Sequence, residues 1–502
     1  MVRTVLQWGI GVCGLFLLIY AFDKISWTQP LISDYVIPVL EAHSVLQGNI
    51  GLHGWTLPTD TFYTTDLPFY VVGVSLFHVS VGVAHHIPAL LYALLVGIAA
   101  WTVTQDGRTQ GKWVAGLTAL LLSGVGAWNA QFLLLGPIHV GTLLYVVAAF
   151  GLLARGYYAR RQFFGVLGIG CIMLAFVGDP MTLWIGALPI IFASAKQYYK
   201  DSKRSPIWWW TIGGAVVALL AGAVGRHFIS EVGGFHYAPF PVTFASWSAF
   251  VNNLGLFVQG ILLLFGANFF GHVLNLSLIG VLIRGLVVIA LGFTLWRWRR
   301  DSDTTWLDDV LASGIVIDCA AYLFSSLPVN IETTRYLTPV WVFGLMLVSR
   351  YFLRKATIKI YLKGAIGGGM LIVGLAFGSL WPFRPPVSAY QVLASWLMAH
   401  HLTRGYGGYW DASIITVATH NRVRIAPVIA TSSGVLEPFQ WNSSKTWYRD
   451  SLRTPASFLV YDVSHWGSVD RQSAIHTWGM PANRTRVGAY TVLVYRRPLI
   501  VP

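Results

Sequence analysis

The sequence predicts a mainly α-helical, polytopic membrane protein. The expected form is a bundle of about eleven spans, N-terminus inside and C-terminus outside, with a small external α/β domain at the C-terminal end. Three observations carry this. The 502 residues are 55% hydrophobic and 11% charged, whereas soluble domains carry about a quarter charged residues. Apolar stretches approaching the length of a span, about 20 residues, recur over the first three quarters of the chain. The basic residues fall in every second loop between them, the pattern the positive-inside rule produces.

The apolar segments lie at roughly 5–22, 84–104, 113–129, 137–154, 162–177, 181–195, 207–225, 273–296, 306–325, 336–352 and 362–381. The first follows Arg3 and lacks a small-residue cleavage site before Asp23 and Lys24, so it reads as an uncleaved span. The basic loops carry Arg108 and Lys112; then Arg155, Arg160 and Arg161; then Lys196, Lys200, Lys203 and Arg204. They continue with Arg297, Arg299 and Arg300, and with Arg350, Arg354, Lys355, Lys359 and Lys363. The net charge of +14 is therefore topological, and nucleic acid is not an expected partner. The three cysteines all sit in apolar segments, which implies neither a disulfide framework nor a zinc site.

Two outer loops are long, at about 23–84 and 226–275. In the first, PFYVVGVSLFHVSVGVA is apolar but short and broken by glycine. It reads as a helix lying along the membrane surface. In the second, FASWSAFVNNLGLFVQGILLLF reads as another surface or re-entrant helix. WPFRPP marks a boundary between a membrane domain, 1–384, and an external domain, 385–502. There VSAYQVLASWLMAHHL has helical spacing, while ASIITVATH, VRIAPVIA, SFLVYDV and YTVLVYRR read as strands. No internal repeat is visible, which weakens a transporter built on inverted repeats.

Few ionisable residues lie outside the basic loops, so each can be weighed. Asp34 lies just before a helix expected from about Ile37, with Pro38 in its first turn. It is either a charge favoured by the helix dipole or a base held at the membrane surface, with Glu41 two turns below. Asp60 and Asp66, in TDTFYTTDLPFY, are rivals for that role, Asp66 otherwise reading as a cap for the surface helix and Asp60 as a solvated loop residue. His139, in GPIHVGTLLY, is placed to meet a phosphate or a hydroxyl, or is structural. Asp179, in VGDPM, reads as a turn or cap, with a chance of facing the same cavity. Asp318 is mid-span and costly unless paired or wet. Arg335, in NIETTRYLTP, opposes the inward bias of the other basic residues. Its planar fork suits a phosphate, with Glu332 as the alternative, local partner. His236 and Tyr237 are candidates for the entrance. No Walker loop, Rossmann glycine motif, HExxH or GxSxG elbow is present, and no metal-ligand cluster is seen.

A first span, a long outer loop opening with Asp34, the stretch YTTDLPFYVVGVSLF, many further spans and then ETTRYLTP resemble the GT-C glycosyltransferase superfamily. The lipid A aminoarabinose transferases and protein O-mannosyltransferases are the kind of relative meant. The resemblance covers roughly 1–380 as architecture, on short motifs. Two departures stand out: many relatives have two adjacent acids where this chain has Asp34-Tyr35, and some have a Lys-Pro-Pro-Leu-like stretch where it has Asp66-Leu-Pro-Phe. The tail, with GYGGYWDAS and PFQWNSSKTWY, resembles small external domains of some bacterial members. Its aromatics either stack on sugars or fill a small core.

The resemblance implies a polyprenyl-phosphate-linked sugar as donor, Asp34 as base and Arg335 at the lipid phosphate. Glu41, His139 and Asp66 follow as further substrate-binding candidates. The expectation is an inverting, metal-independent transfer to a hydroxyl acceptor on a lipid, glycan or protein, with no cofactor. It would take place on the external or periplasmic face of the cell membrane. Two alternatives stay open: a transporter or flippase of lipid-linked or anionic substrates, and a non-catalytic membrane scaffold presenting the tail.

Overall fold

The first apolar segment forms α1 (Val2–Ser26), and a short loop leads to α2 (Ser33–Leu46). The computed structural model describes residues 2–106, 111–201, 205–238, 241–270, 276–354, 364, 367–370, 373–374, 388–449, 455–465, 467 and 469–501. After the short strand β1 (Trp55–Leu57) come α3 (Leu67–Phe77), α4 (Val81–Thr102), α5 (Gly111–Ser123), α6 (Ala127–Leu133), α7 (Val140–Tyr158) and α8 (Gln162–Gly178). A π-helical turn, Leu183–Ala187, opens α9 (Leu188–Lys200). Then follow α10 (Ile207–Glu231), β2 (His236–Tyr237), α11 (Trp247–Leu264), α12 (Leu276–Arg300) and α13 (Trp306–Phe324). A 3-10 turn, Ile331–Leu337, leads into α14 (Thr338–Arg354).

Among the described residues six helices are long and apolar enough to cross a membrane, against about eleven expected, and α5 with α6 makes a seventh if counted as one span. That pair is bent by 100° at residues 124–126, where the sequence reads as one continuous segment, 113–129. The stretch expected to lie on the surface or re-enter is the 18-residue helix α11, long and apolar enough to span. Conversely α8 is apolar but shorter, like α3. The expected span at 362–381, and the boundary at 384, fall largely outside the described residues.

Burial sorts the spans. The windows within α4, α7 and Ile331–Leu353 are 61%, 72% and 83% buried, and they form the centre. Those within α10, α11 and α12 are only 22%, 17% and 17% buried. Their remaining apolar surface needs a lipid environment to cover it.

The two ends of the bundle differ. At one end Arg350, at the foot of α14, is wholly buried. It donates to Asp308 Oδ1 at 2.8 Å, to the Val103 carbonyl at 2.6 Å, to Thr305 Oγ1 at 3.0 Å and to Asp106. Nearby Lys196 meets Asp309 at 2.5 Å, and Thr305 with Asp308 closes a capping box on α13. Arg350 is thus a structural cation and not a solvated loop charge. α13 starts at this cluster and α14 finishes there; α13 finishes, and α14 starts, at the opposite end, where the chain opens a cavity.

From Ser388 onward lies a six-stranded sheet whose strands stand in the order 436–438, 424–430, 404–408, 456–461, 490–499 and 483–487. In chain order the elements are α15 (Ala389–Ala399), β3 (Arg404–Gly408), α16 (Tyr409–Ala418), β4 (Arg424–Ala430), β5 (Leu436–Pro438), β6 (Ser443–Ser444) and α17 (Thr446–Arg449). β7 (Ala456–Tyr461), α18 (Arg471–Trp478), β8 (Asn483–Val487) and β9 (Tyr490–Leu499) complete it. β3 runs parallel to both β4 and β7. Of ASIITVATH, expected as a strand, Ala412–Ala418 lie in α16. Its residues Ala412–Val417 are all buried, packed between α2, α15 and the sheet. A fully buried apolar run does not show its period, and tertiary packing overrides the β-branched propensity. β6 pairs with β1, and β1 with β2, stitching this region to the first and second long loops.

Candidate active site

The cavity has a volume of about 580 Å³, within the usual range for small-molecule sites. Asp34, Glu41, Asp66, His139 and Arg335 all line it. So do Asp60, Asp179, Asp318 and Glu332, and so do Trp410, Trp441 and Asn442 from the C-terminal region.

α2 begins four residues earlier than expected, so Asp34 sits inside its first turn and not before it. The N-cap position falls to Ile32, which gives no side-chain cap, and Asp34 Oδ1 accepts a hydrogen bond from the Tyr409 hydroxyl. Burial pushes the Asp34 carboxyl above its usual range; the Tyr409 hydrogen bond, the Arg335 charge and Asn442 pull the other way without cancelling it. Glu41 lies two turns along the same helix and is buried, which pushes its carboxyl up to about 8.

Asp66 occupies the N-cap position of α3, as expected, but its side chain makes no cap bond. The carboxylate turns to the first turn of α7. A Cβ on Gly141 would collide with it. Burial holds it at about 7, against the pull of Thr65 and the Gly141 backbone N–H.

His139 closes the loop before α7 with φ 59°, a left-handed conformation that costs a non-glycine residue energy and clusters at functional sites. The same loop holds Gly136 at φ +54°, where a Cβ would stand 2.9 Å from the Tyr35 Cα. Glycine at 136 therefore lets the loop press against α2 beside Asp34. His139 Nδ1 lies 2.7 Å from Asp179 Oδ2. Asp179 also accepts from Thr142 Oγ1 at 2.8 Å and from the Met181 backbone N–H at 2.9 Å. Burial works against an imidazolium at His139, but the Asp179 charge and hydrogen bond outweigh it and the ring is held above its usual value. With Asp179 ionised, Nδ1 is the protonated nitrogen.

Arg335 comes from the 3-10 turn that precedes α14. Its guanidinium lies over the Tyr336 ring, 5.1 Å from the centroid, and Nη2 reaches the Tyr336 hydroxyl at 3.4 Å. Glu332, three residues earlier, forms no ion pair with it among the described residues. The planar fork is therefore not spent on a local carboxylate.

Asp60 is half-buried on the cavity wall, among the charges of His139, Asp179 and Arg335, and is not a solvated loop residue. Asp318 lies six residues from the end of α13 and reaches the same cavity, with Oδ2 lacking a hydrogen-bond partner. His236 and Tyr237 are not among the lining residues; they form β2, and Tyr237 lies over Arg226. The tail aromatics divide: Trp410 and Trp441 face the cavity, whereas Trp447 packs into the core against Trp55, with centroids 5.2 Å apart. Asn442 lines the cavity and donates to Tyr409. Tyr409 and Asn442 carry no sequence signal for the site: the seating of α16 on α2 places Tyr409, and the pairing of β6 with β1 places the neighbouring Asn442. Among the described residues no group of three or more His, Cys, Asp or Glu is arranged to hold a metal ion.

No family model matches the chain, and no curated protein matches it. Among solved structures it resembles an oligosaccharyltransferase of Archaeoglobus fulgidus in a complex with Zn and sulfate, at 13% identity and TM-score 0.48, covering 90% of this chain and 68% of that one. It also resembles the same enzyme tethered by a disulfide to an acceptor peptide with an NVT sequon, at 12% identity and TM-score 0.45, covering 90% and 69%. Likeness at this level leaves the function to be read from the cavity's own residues.

Proposed function

We propose that this chain is an integral-membrane glycosyltransferase of GT-C type, moving a sugar from a polyprenyl-phosphate donor to a hydroxyl acceptor. The observation that carries the reading is that Asp34 and Arg335, from separate elements, open on one cavity at the end of the bundle away from the basic loops. By the positive-inside rule that end faces the external or periplasmic side.

The chemistry follows from these groups. The acceptor oxygen attacks the anomeric carbon as the bond to the lipid phosphate breaks, which inverts the centre. The acceptor proton passes to Asp34, which burial makes more basic than an exposed carboxylate, as a general base requires. The departing phosphate carries the negative charge, and the Arg335 guanidinium meets it. Glu41, Asp66 and His139 shape the polar wall. Trp410 and Trp441 offer faces for a sugar ring. The donor's own glycosyl–phosphate bond supplies the activation, so the reading calls for no nucleotide, cofactor or metal.

The test is transfer from a radiolabelled polyprenyl-phosphate hexose in membranes or detergent. Asp34→Asn is expected to lose about two to four orders of magnitude in kcat, the usual worth of a positioned base. Full activity in a folded Asp34→Asn protein sinks the assignment. Movement of the lipid without covalent transfer, in proteoliposomes, would favour a flippase instead.

A further inference from the structure

Asp34 is held by a residue from the other end of the chain. β3 is a central strand, flanked by β4 and β7, and it ends directly at Tyr409, the first residue of α16. Its glycines are needed for that approach. A Cβ on Gly405 would stand 2.5 Å from the Phe458 ring, and one on Gly407 would stand 3.1 Å from the Val460 carbonyl. The strand thereby delivers Tyr409 against the start of α2, where Ser33 Oγ donates to the Trp410 carbonyl at 2.8 Å. The Tyr409 ring is buried and is fixed edge-on by Trp410 and Phe439, with centroids 5.1 Å and 5.4 Å away.

The hydroxyl has one proton and it is committed. Asn442 Nδ2 donates to the phenol oxygen at 3.1 Å, so the O–H points at Asp34 Oδ1. We propose that Tyr409, oriented by Asn442, is a positioning residue for Asp34: it fixes one carboxylate oxygen so that the other is presented to the acceptor hydroxyl. The site is then incomplete without the C-terminal region. This rests on the reading of Asp34 as the base. Burial and the neighbouring carboxylate push the Tyr409 phenol well above its ordinary value, so it stays a donor throughout the working range. A carboxylate free to rotate in a cavity of this size loses alignment, and misplacement by about 1 Å costs on the order of a hundredfold in rate.

The experiment compares wild type, Tyr409→Phe, Asn442→Ala and Asp34→Asn in the full-length chain. It uses two readouts: initial rates with a radiolabelled polyprenyl-phosphate hexose across pH, and carbodiimide labelling of Asp34 mapped by mass spectrometry across pH. Tyr409→Phe keeps the ring and removes the donor. It is expected to lower kcat by about tenfold or more with donor KM unchanged. The acid limb of the rate profile and the labelling midpoint of Asp34 are both expected to move to higher pH, because the hydrogen bond that held the carboxyl down is gone. Asn442→Ala shifts both in the same direction by less, and it carries the test if Tyr409→Phe does not fold. An inactive Asp34→Asn alongside a Tyr409→Phe with wild-type kcat and an unmoved limb overturns this inference alone. So does a rise in kcat, which would make Tyr409 a blocking contact. Activity retained by Asp34→Asn overturns the base reading, and this inference with it.

Discussion

His139 and Asp179 form a buried pair at the cavity wall, Nδ1 to Oδ2 at 2.7 Å, with side chains only 4% and 1% exposed. Burial favours the neutral form of both, yet each holds the other charged: the His139 imidazolium is raised above its usual value and the Asp179 carboxyl lowered below its own.

The pair should therefore show in the pH dependence of stability. A raised histidine stabilises fully below its unfolded value, about 6.5, and loses that contribution as pH rises through the folded value. A lowered aspartate stabilises above its unfolded value, about 3.9, and loses it as pH falls through the folded value. The contribution is greatest between those limits. Asp179→Asn should lower Tm more at about pH 6 than at about pH 9, with a deficit near 3–5 kcal/mol for breaking a buried pair. Equal deficits at both values would mean that the ring is neutral throughout. Thermal melts across pH measure this.

Glu41 also loses stability as pH rises, but without a partner charge. Its carboxyl is raised from 4.5 to about 8 by burial alone. The folded state then binds the proton more tightly than the unfolded chain, and stability falls as pH rises from the lower value towards the upper. Glu41→Gln should stabilise by up to about 3 kcal/mol at neutral pH and have little effect at about pH 4. The comparison of variant and wild-type melts at the two values decides it.

Arg335 separates charge from shape. Arg335→Ala should raise donor KM by roughly tenfold to a hundredfold, the worth of hydrogen bonds to a charged group at about 1.5–3 kcal/mol. Arg335→Lys restores the charge but not the fork, and should recover only part of the loss. Saturation curves with a truncated polyprenyl-phosphate hexose give both numbers. An unchanged KM in the alanine variant removes Arg335 from the phosphate.

Arg350 tests the far end. Replacing it with Met leaves Asp106 and Asp308 buried without their shared cation, at a cost of about 3–5 kcal/mol. Monodisperse yield by fluorescence-detected size exclusion should fall sharply. Specific activity of the folded fraction should hold, since α13 and α14 separate this cluster from the cavity.

Rarity made part of the site legible. In a chain with 20 acidic residues, Asp34, Glu41 and Asp66 stand out beside apolar runs, and an outlying Arg335 stands out against basic loops gathered elsewhere. What stayed hidden was contact across the chain. Asp60 has the neighbours of any loop residue, and only the fold turns it towards His139. For Asp318 the expected end of its segment, 325, falls beside the observed end of α13 at Phe324; what the sequence does not show is that this end opens on the cavity. α16 was misread because a segment buried on every side has no polar face to mark its period. The break at residues 124–126 is hidden for a related reason: hydropathy reports composition, and the direction of a helix is set by what it packs against.

The hydrogen bond between Tyr409 and Asp34 joins positions 375 residues apart. A ribosome making this chain inserts the spans long before it reaches Tyr409. Until then Asp34 lacks that partner. Chains that stop before Tyr409 would sit in the membrane with the carboxylate lacking that contact. A chain built this way gains the Tyr409 contact only in a late step of its synthesis.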